Sequence, residues 1–261
     1  MRLGRINKYS AEHFDATASS GLEFIEICCN NADDAAAFVA AKESVKAEIE
    51  RTGIDISCVG RWNHDINEGG VINEEKFMGY LSLMDTAIEL GAKTFVCGIN
   101  KSKEIDLEAN YAVANEFFSR LIAHANGRIK VAVQNCNWNN FVVSPAEWEK
   151  TLGVLPDLWL KYDPSHAYNR GDNYLDEMSD WGERIAHFHI KGTVHAGSRK
   201  VDDPPAGMDD IQWGPVFAII YARGYDGDLS IEPHSKTWRG ELGDFGVDFT
   251  HNFIKKYIFK K

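Results

Sequence analysis

Short unbroken apolar runs recur along the chain, and they do not alternate apolar with polar residues. They fall at about Arg2–Ile6, Phe24–Cys28, Ile56–Gly60, Thr94–Cys97, Ile129–Val133, Leu158–Tyr162, Ile185–Ile190 and Asp228–Ile231. Runs of this kind predict strands buried on both faces, as in parallel sheets covered by helices. Helices are predicted between them: one from Ser10, then Asp33–Arg51, Glu74–Leu90, Leu107–Asn126, one from Pro145, Asn173–Trp181, Trp213–Arg223 and Val247–Phe259. Ser10, Asp33 or Asp34, and Ser144 are the expected N-caps, because a short polar side chain can bond the free amides of a first turn. Gly53, Gly91 and Gly224 are the expected stops. Strict alternation of strand and helix predicts a parallel sheet. Eight repeats in 261 residues predict closure into a single α/β domain, a (β/α)₈ TIM barrel over residues 1–261.

Four of the later runs end in a residue able to bind a metal or move a proton. These are Gln134, Asp163, His189 and Glu232, separated by 29, 26 and 43 residues. In a barrel the C-terminal ends of successive strands share one rim, so these four side chains converge. Asp, His and Glu suit Mn²⁺, Mg²⁺, Co²⁺ or Zn²⁺. Gln134 is the odd member, neutral where a carboxylate would complete the set.

The formal net charge of −11 argues against nucleic acid, which needs clustered Lys and Arg. Lys255, Lys256, Lys260 and Lys261 read as a solvated helix end. No apolar run approaches a membrane span, and Met1–Asn7 lacks the apolar stretch of a signal peptide; a cytoplasmic location is the expectation. Five cysteines, none in a CxxC pair, read as reduced thiols in strand-like runs, with Cys136 the candidate nearest the mouth. No Gly-rich phosphate loop occurs. The long irregular stretch Gly192–Gln212 follows strand seven, where an active-site lid belongs.

Tyr162-Asp163-Pro164-Ser165-His166-Ala167, His187-Phe188-His189-Ile190-Lys191, Pro205-Ala206-Gly207 with Asp210-Ile211-Gln212-Trp213, and Gly224 through Glu232 occur in an order that carries a resemblance. The chain resembles the xylose-isomerase-like sugar phosphate isomerase/epimerase superfamily of TIM barrels, the AP endonuclease family 2 type. The resemblance implies a divalent metal, Mn²⁺ first, held by Gln134, Asp163, His189 and Glu232. It implies proton abstraction beside the carbonyl of a sugar or keto-sugar through an enediolate. Glu232, His166 and Lys191 are the candidate catalytic residues, and Trp62, His64, His195 and Arg199 the candidate substrate contacts. His189 is the expected inward histidine of its strand, with His187 packed between strand and helix. Glu26 is read either into the mouth or into an ion pair within the barrel, and His234 as a flanking group.

Gln134 changes the expected chemistry. An amide oxygen can ligate a hard cation but cannot accept a proton, so two-base epimerisation loses one of its bases. Isomerisation or a lyase (dehydratase) reaction with one base remains open. So does a role as a 3-keto-glycoside-cleaving subunit, or as a non-catalytic sugar-binding barrel within a homo-oligomer or beside a partner subunit. A DNA-repair endonuclease of the same superfamily would need more metal ligands and a basic face.

Overall fold

The computed structural model describes residues 1–259; Lys260 and Lys261 of the basic C-terminal cluster lie outside the described residues. The chain runs β1 (Arg2–Ile6), α1 (Ala11–Ser19), β2 (Phe24–Cys29), α2 (Ala32–Ala40), α3 (Lys42–Thr52), β3 (Asp55–Arg61), β4 (Asn67–Glu68), β5 (Val71–Ile72), α4 (Glu74–Glu89), β6 (Thr94–Cys97) and α5 (Leu107–Ala125). It continues with β7 (Lys130–Gln134), α6 (Pro145–Thr151), β8 (Leu158–Tyr162), α7 (Pro164–Arg170), α8 (Tyr174–Trp181), β9 (Ile185–Ile190), β10 (Val194–Ala196), β11 (Arg199–Asp202), α9 (Trp213–Ala222), β12 (Asp228–Ile231) and α10 (Glu241–Ile254). Eight strands close in the order β1-β12-β9-β8-β7-β6-β3-β2. Every neighbouring pair in the ring is parallel, and the ring shuts where Arg2 meets Asp228 and Arg5 meets Ile25.

The strand order follows from burial. The outer faces of the strands and the inner faces of the helices share one large core containing Phe14, Phe38, Phe117, Phe118, Trp148 and Phe217. The apolar cluster inside the barrel is small: Cys58, Trp62, Val96 and Ala132. Toward the C-terminal rim the interior is polar, with Glu26, Gln134, Lys161, His187, His189 and Ser230 all buried. Polar groups are costly there unless each finds a partner, so this end of the barrel is organised by hydrogen bonds rather than by packing.

Ser144 starts α6 with a capping box shared with Glu147, as expected, whereas Ser10 precedes α1 without a side-chain cap hydrogen bond. Asn31, not Asp33 or Asp34, caps α2 by accepting from the Asp34 amide at 2.8 Å. Asn73 and Asp106 cap α4 and α5 in the same way. The predicted Asp33–Arg51 helix is two helices broken at Ala41. One packs against α4 and the other against α1, a division of partners that an Ala-rich sequence does not announce. α10 begins at Glu241 rather than Val247. Gly192–Gln212 is not wholly irregular, since β10 and β11 form an antiparallel hairpin within it.

Candidate active site

The site is laid down where β8 passes into α7. Asp163 is the last residue before the helix, and Pro164 fills the first helical position, where a missing N–H costs nothing. Asp163 Oδ1 accepts from the Ser165 amide at 2.9 Å and so caps α7. Its other oxygen, Oδ2, is buried and makes no hydrogen bond of good geometry. Asn135, one residue past β7, fixes the Asp163 backbone from both sides: its Nδ2 donates to Asp163 O at 2.9 Å and its Oδ1 accepts from Asp163 N at 3.1 Å. One carboxylate thus serves the helix with one oxygen and meets the Lys191 ammonium with the other.

β9 delivers two histidines to the same interior. His187 and His189 are two residues apart, and side chains two apart on a strand face the same side. The expectation that His187 packs between strand and helix is therefore corrected. Its Nε2 lies 2.7 Å from Glu26 Oε2 and 2.9 Å from Ser230 Oγ inside the barrel. Glu26 on β2 also meets His189 Nε2 at 2.9 Å, so Glu26 forms an ion-pair network within the barrel below the rim. His189 Nδ1 points the other way, 2.8 Å from Glu232 Oε2. Burial alone would raise the Glu26 pKa, but the charges of His189 and His187 overcome it and hold the carboxyl well below its usual range. Burial pulls the His189 pKa down, but Glu26 and Glu232 together raise it above the ordinary histidine value.

Lys191, the next inward residue, reaches between the two rim carboxylates. Its Nζ is 2.9 Å from Asp163 Oδ2 and 3.5 Å from Glu232 Oε2. Against the pull of burial, Lys191 holds both carboxylates below their ordinary pKa. His166, one turn into α7, places Nε2 at 3.1 Å from Lys191 Nζ. Burial and the Lys191 charge keep its pKa well below that of a free histidine, which favours a neutral ring that can accept a hydrogen bond from the lysine ammonium.

These groups border a cavity of about 660 Å³. Of the predicted contacts, Trp62, His166, His189, Lys191 and Glu232 line it, and so does His234. Gly60 leaves room for the Trp62 ring, which a Cβ at that position would strike. Gln134, Asp163, His64, His195 and Arg199 are not among the lining residues. His64 is fully buried between Tyr80 OH at 2.9 Å and Gln134 Nε2 at 3.0 Å. His195 turns to Asn169 at 2.7 Å, and the exposed Arg199 lies on the hairpin whose neighbour Lys200 reaches the cavity instead. Cys28 lines the mouth beside Cys136, and burial raises both thiols above their usual pKa. Sequence reading missed Lys161, Asn135 and the depth of Glu26. Lys161 stood in plain view two residues before Asp163, where strand alternation turns it inward.

The xylose isomerase-like TIM-barrel profile matches residues 14–251. The chain belongs to that family. Among solved members of this fold, D-psicose 3-epimerase from Clostridium cellulolyticum H10, determined with D-tagatose, superposes with a TM-score of 0.79 at 15% identity, covering 98% of this chain and 99% of that one. The 3-keto-D-glucoside 4-epimerase of E. coli gives 0.77 at 16% identity over 98% and 99%. A D-tagatose 3-epimerase-like protein gives 0.77 at 17% over 98% and 97%. A search of curated protein sequences found no match. Likeness at these identities establishes the fold.

The donor set of this family member suits a divalent cation. Ligand atoms of Asp163, His189 and Glu232 lie within 4.8 Å of one another. Gln134 Oε1 is a buried oxygen without a hydrogen bond, and Asp163 Oδ2 is met by the Lys191 ammonium at 2.9 Å and His166 Nε2 at 3.4 Å. Glu26 holds Nε2 of His189 and leaves Nδ1 for the cluster, the carboxylate–histidine support common behind metal ligands. Glu26, His187 and His189 form a second close group, but Glu26 and His187 do not line the cavity, and both Glu26 oxygens are taken by the histidines.

Proposed function

We propose that the protein is a divalent-cation-dependent enzyme acting on a sugar or keto-sugar by proton abstraction beside a carbonyl, of the isomerase, epimerase or lyase type. The observation that carries this is the convergence of Asp163, His189 and Glu232, the last two of which line the cavity. The sugar epimerases that share the fold support the substrate class. Asp163, His189 and Glu232, with the amide oxygen of Gln134, would hold the cation; Mn²⁺ is the first choice. A cation bound there polarises a substrate oxygen and lowers the energy of an enediolate.

The rest falls to the chain's own residues. Glu232 is the base. It is the only carboxylate lining the cavity among the described residues, and its Oε1 is free of hydrogen bonds while Oε2 is held by His189. The C–H bond beside the carbonyl breaks toward Glu232, and the electron pair moves to the carbonyl oxygen. The glutamic acid then returns the proton to the neighbouring carbon, or gives it to a departing hydroxyl. Lys191 places a positive charge beside both the base and Asp163. Trp62 offers an apolar wall for the face of a sugar ring.

The lyase variant draws on one feature. Gln134 cannot accept a proton, and its Nε2 is turned to His64, so no second base comes from β7. Glu232→Gln tests the assignment. In D₂O with Mn²⁺ and a panel of ketoses and 3-keto-glycosides, the parent protein should exchange or eliminate a substrate proton. The variant should lose at least about a hundredfold of that rate, the scale of a positioned base, with an unchanged circular dichroism spectrum. Near-normal turnover in the variant rejects Glu232 as the base.

A further inference from the structure

The cavity lining carries more cationic than anionic side chains. Its lining holds four Lys or Arg side chains, Lys161, Arg170, Lys191 and Lys200, against one carboxylate, Glu232, in a chain whose net charge is −11. Three of the four are committed. Arg170 holds Asp172 and Glu177, each at 2.8 Å. Lys191 lies 2.9 Å from Asp163, and Lys200 lies 2.7 Å from Asp203. Lys161 differs. It is 1% exposed, faces the cavity, makes no hydrogen bond among the described residues, and has no carboxylate oxygen within 4.0 Å among them.

We propose that Lys161 receives a carboxylate of the substrate, so that the protein acts on a sugar acid rather than on a neutral sugar; this rests on the sugar reading above. A buried ammonium with no acceptor is costly, and its three donors need oxygen. Water entering the cavity can serve them while the site is free. A ligand that fills the cavity displaces that water and must bring the replacement. A neutral hydroxyl supplies a hydrogen bond but no charge. A carboxylate supplies both, and charge-assisted bonds are roughly twice as strong as neutral ones. One uncommitted ammonium matches one negative charge. A phosphate dianion would call for a second free cation, and the other three lining cations are paired.

Calorimetric titration of the Mn²⁺-supplied protein with three sugars that differ only at C6 tests this: D-tagatose, D-tagaturonate and D-tagatose 6-phosphate. The parent protein should bind the uronate at least about tenfold more tightly than the ketose, a difference of about 1.4 kcal/mol. Lys161→Met keeps the apolar stem and should erase that preference. The preference in the parent protein needs no variant, so a misfolded Lys161→Met does not shield the proposal. Equal binding of uronate and ketose overturns it. So does a preference that survives Lys161→Met, or tighter binding of the 6-phosphate than of the uronate. Those three outcomes leave the sugar reading standing. Binding of none of the three overturns the sugar reading and this proposal together.

Discussion

Glu26 supports His189 from below, and its replacement by Gln should damage the fold and the cation site by amounts that can be separated. Glu26 is fully buried, and its carboxylate serves two imidazoles, His187 at 2.7 Å and His189 at 2.9 Å. Glutamine has the same shape but one acceptor oxygen and one NH₂ donor. It can accept from one Nε2–H and must present a donor to the other. One histidine then changes tautomer or loses its partner, and the negative charge that stabilises imidazolium is gone. Breaking a buried pair from one side costs about 3–5 kcal/mol. One hydrogen bond survives in the glutamine variant, so about 3 kcal/mol is the expected loss. For a chain of this size that is a fall in Tm of roughly 6–12 °C. Losing the support behind a ligating histidine should weaken cation binding by about 10–100-fold. Differential scanning calorimetry of the metal-free protein reads the first effect, and Mn²⁺ titration at neutral pH reads the second. A variant that melts within about 2 °C of the parent and binds Mn²⁺ equally well would refute the claim that Glu26 organises this rim.

Gln134→Glu should add a charged oxygen to the donor set and strengthen Mn²⁺ binding by about tenfold or more, since a charged ligand outweighs an amide for a hard cation; calorimetry showing weaker binding would place Gln134 outside the cation site. At the opposite end of the barrel, Asp228 is held by Arg2 at 2.8 and 2.9 Å and by Ser57; against burial, these partners lower its pKa from 3.8 to about 2. The shift corresponds to about 2 kcal/mol, fully present above the unfolded value and lost as pH falls from 3.8 toward 2. Asp228→Asn should therefore lower stability in urea at neutral pH by that amount and by progressively less in acid; a deficit that does not shrink in acid rejects the ion-pair account. Removing the hairpin between Thr193 and Asp203, which carries Lys200 to the cavity, should lower turnover far more than Tm, and unchanged kinetics would make it a structural appendage.

The sequence by itself determined the barrel. Unbroken apolar runs such as Ile185–Ile190 and Leu158–Tyr162 need cover on both faces, and eight of them alternating with helices leave few other arrangements. Five strands were legible to the residue at both ends because the apolar run ends where a polar or turn residue begins, as at Thr94–Cys97 and Asp228–Ile231. The convergence of Asp163, His189 and Glu232 was legible too, because strand ends meet at one rim. Only the tertiary structure decided who pairs with whom around them. Sequence spacing cannot say that Lys191 lies between two carboxylates, that Glu26 on β2 reaches across to β9, or that Lys161 makes no direct ion pair among the described residues. Side chains on strands far apart in the chain meet through barrel shear and rotamer choice, which no local pattern encodes. The placement of His187 was legible in principle, since two residues along a strand is one full period. His64 and His195 were not: a polar residue past a strand end turns to solvent, cavity or neighbour according to the loops packed over it. Here Tyr80 and Asn169 took them.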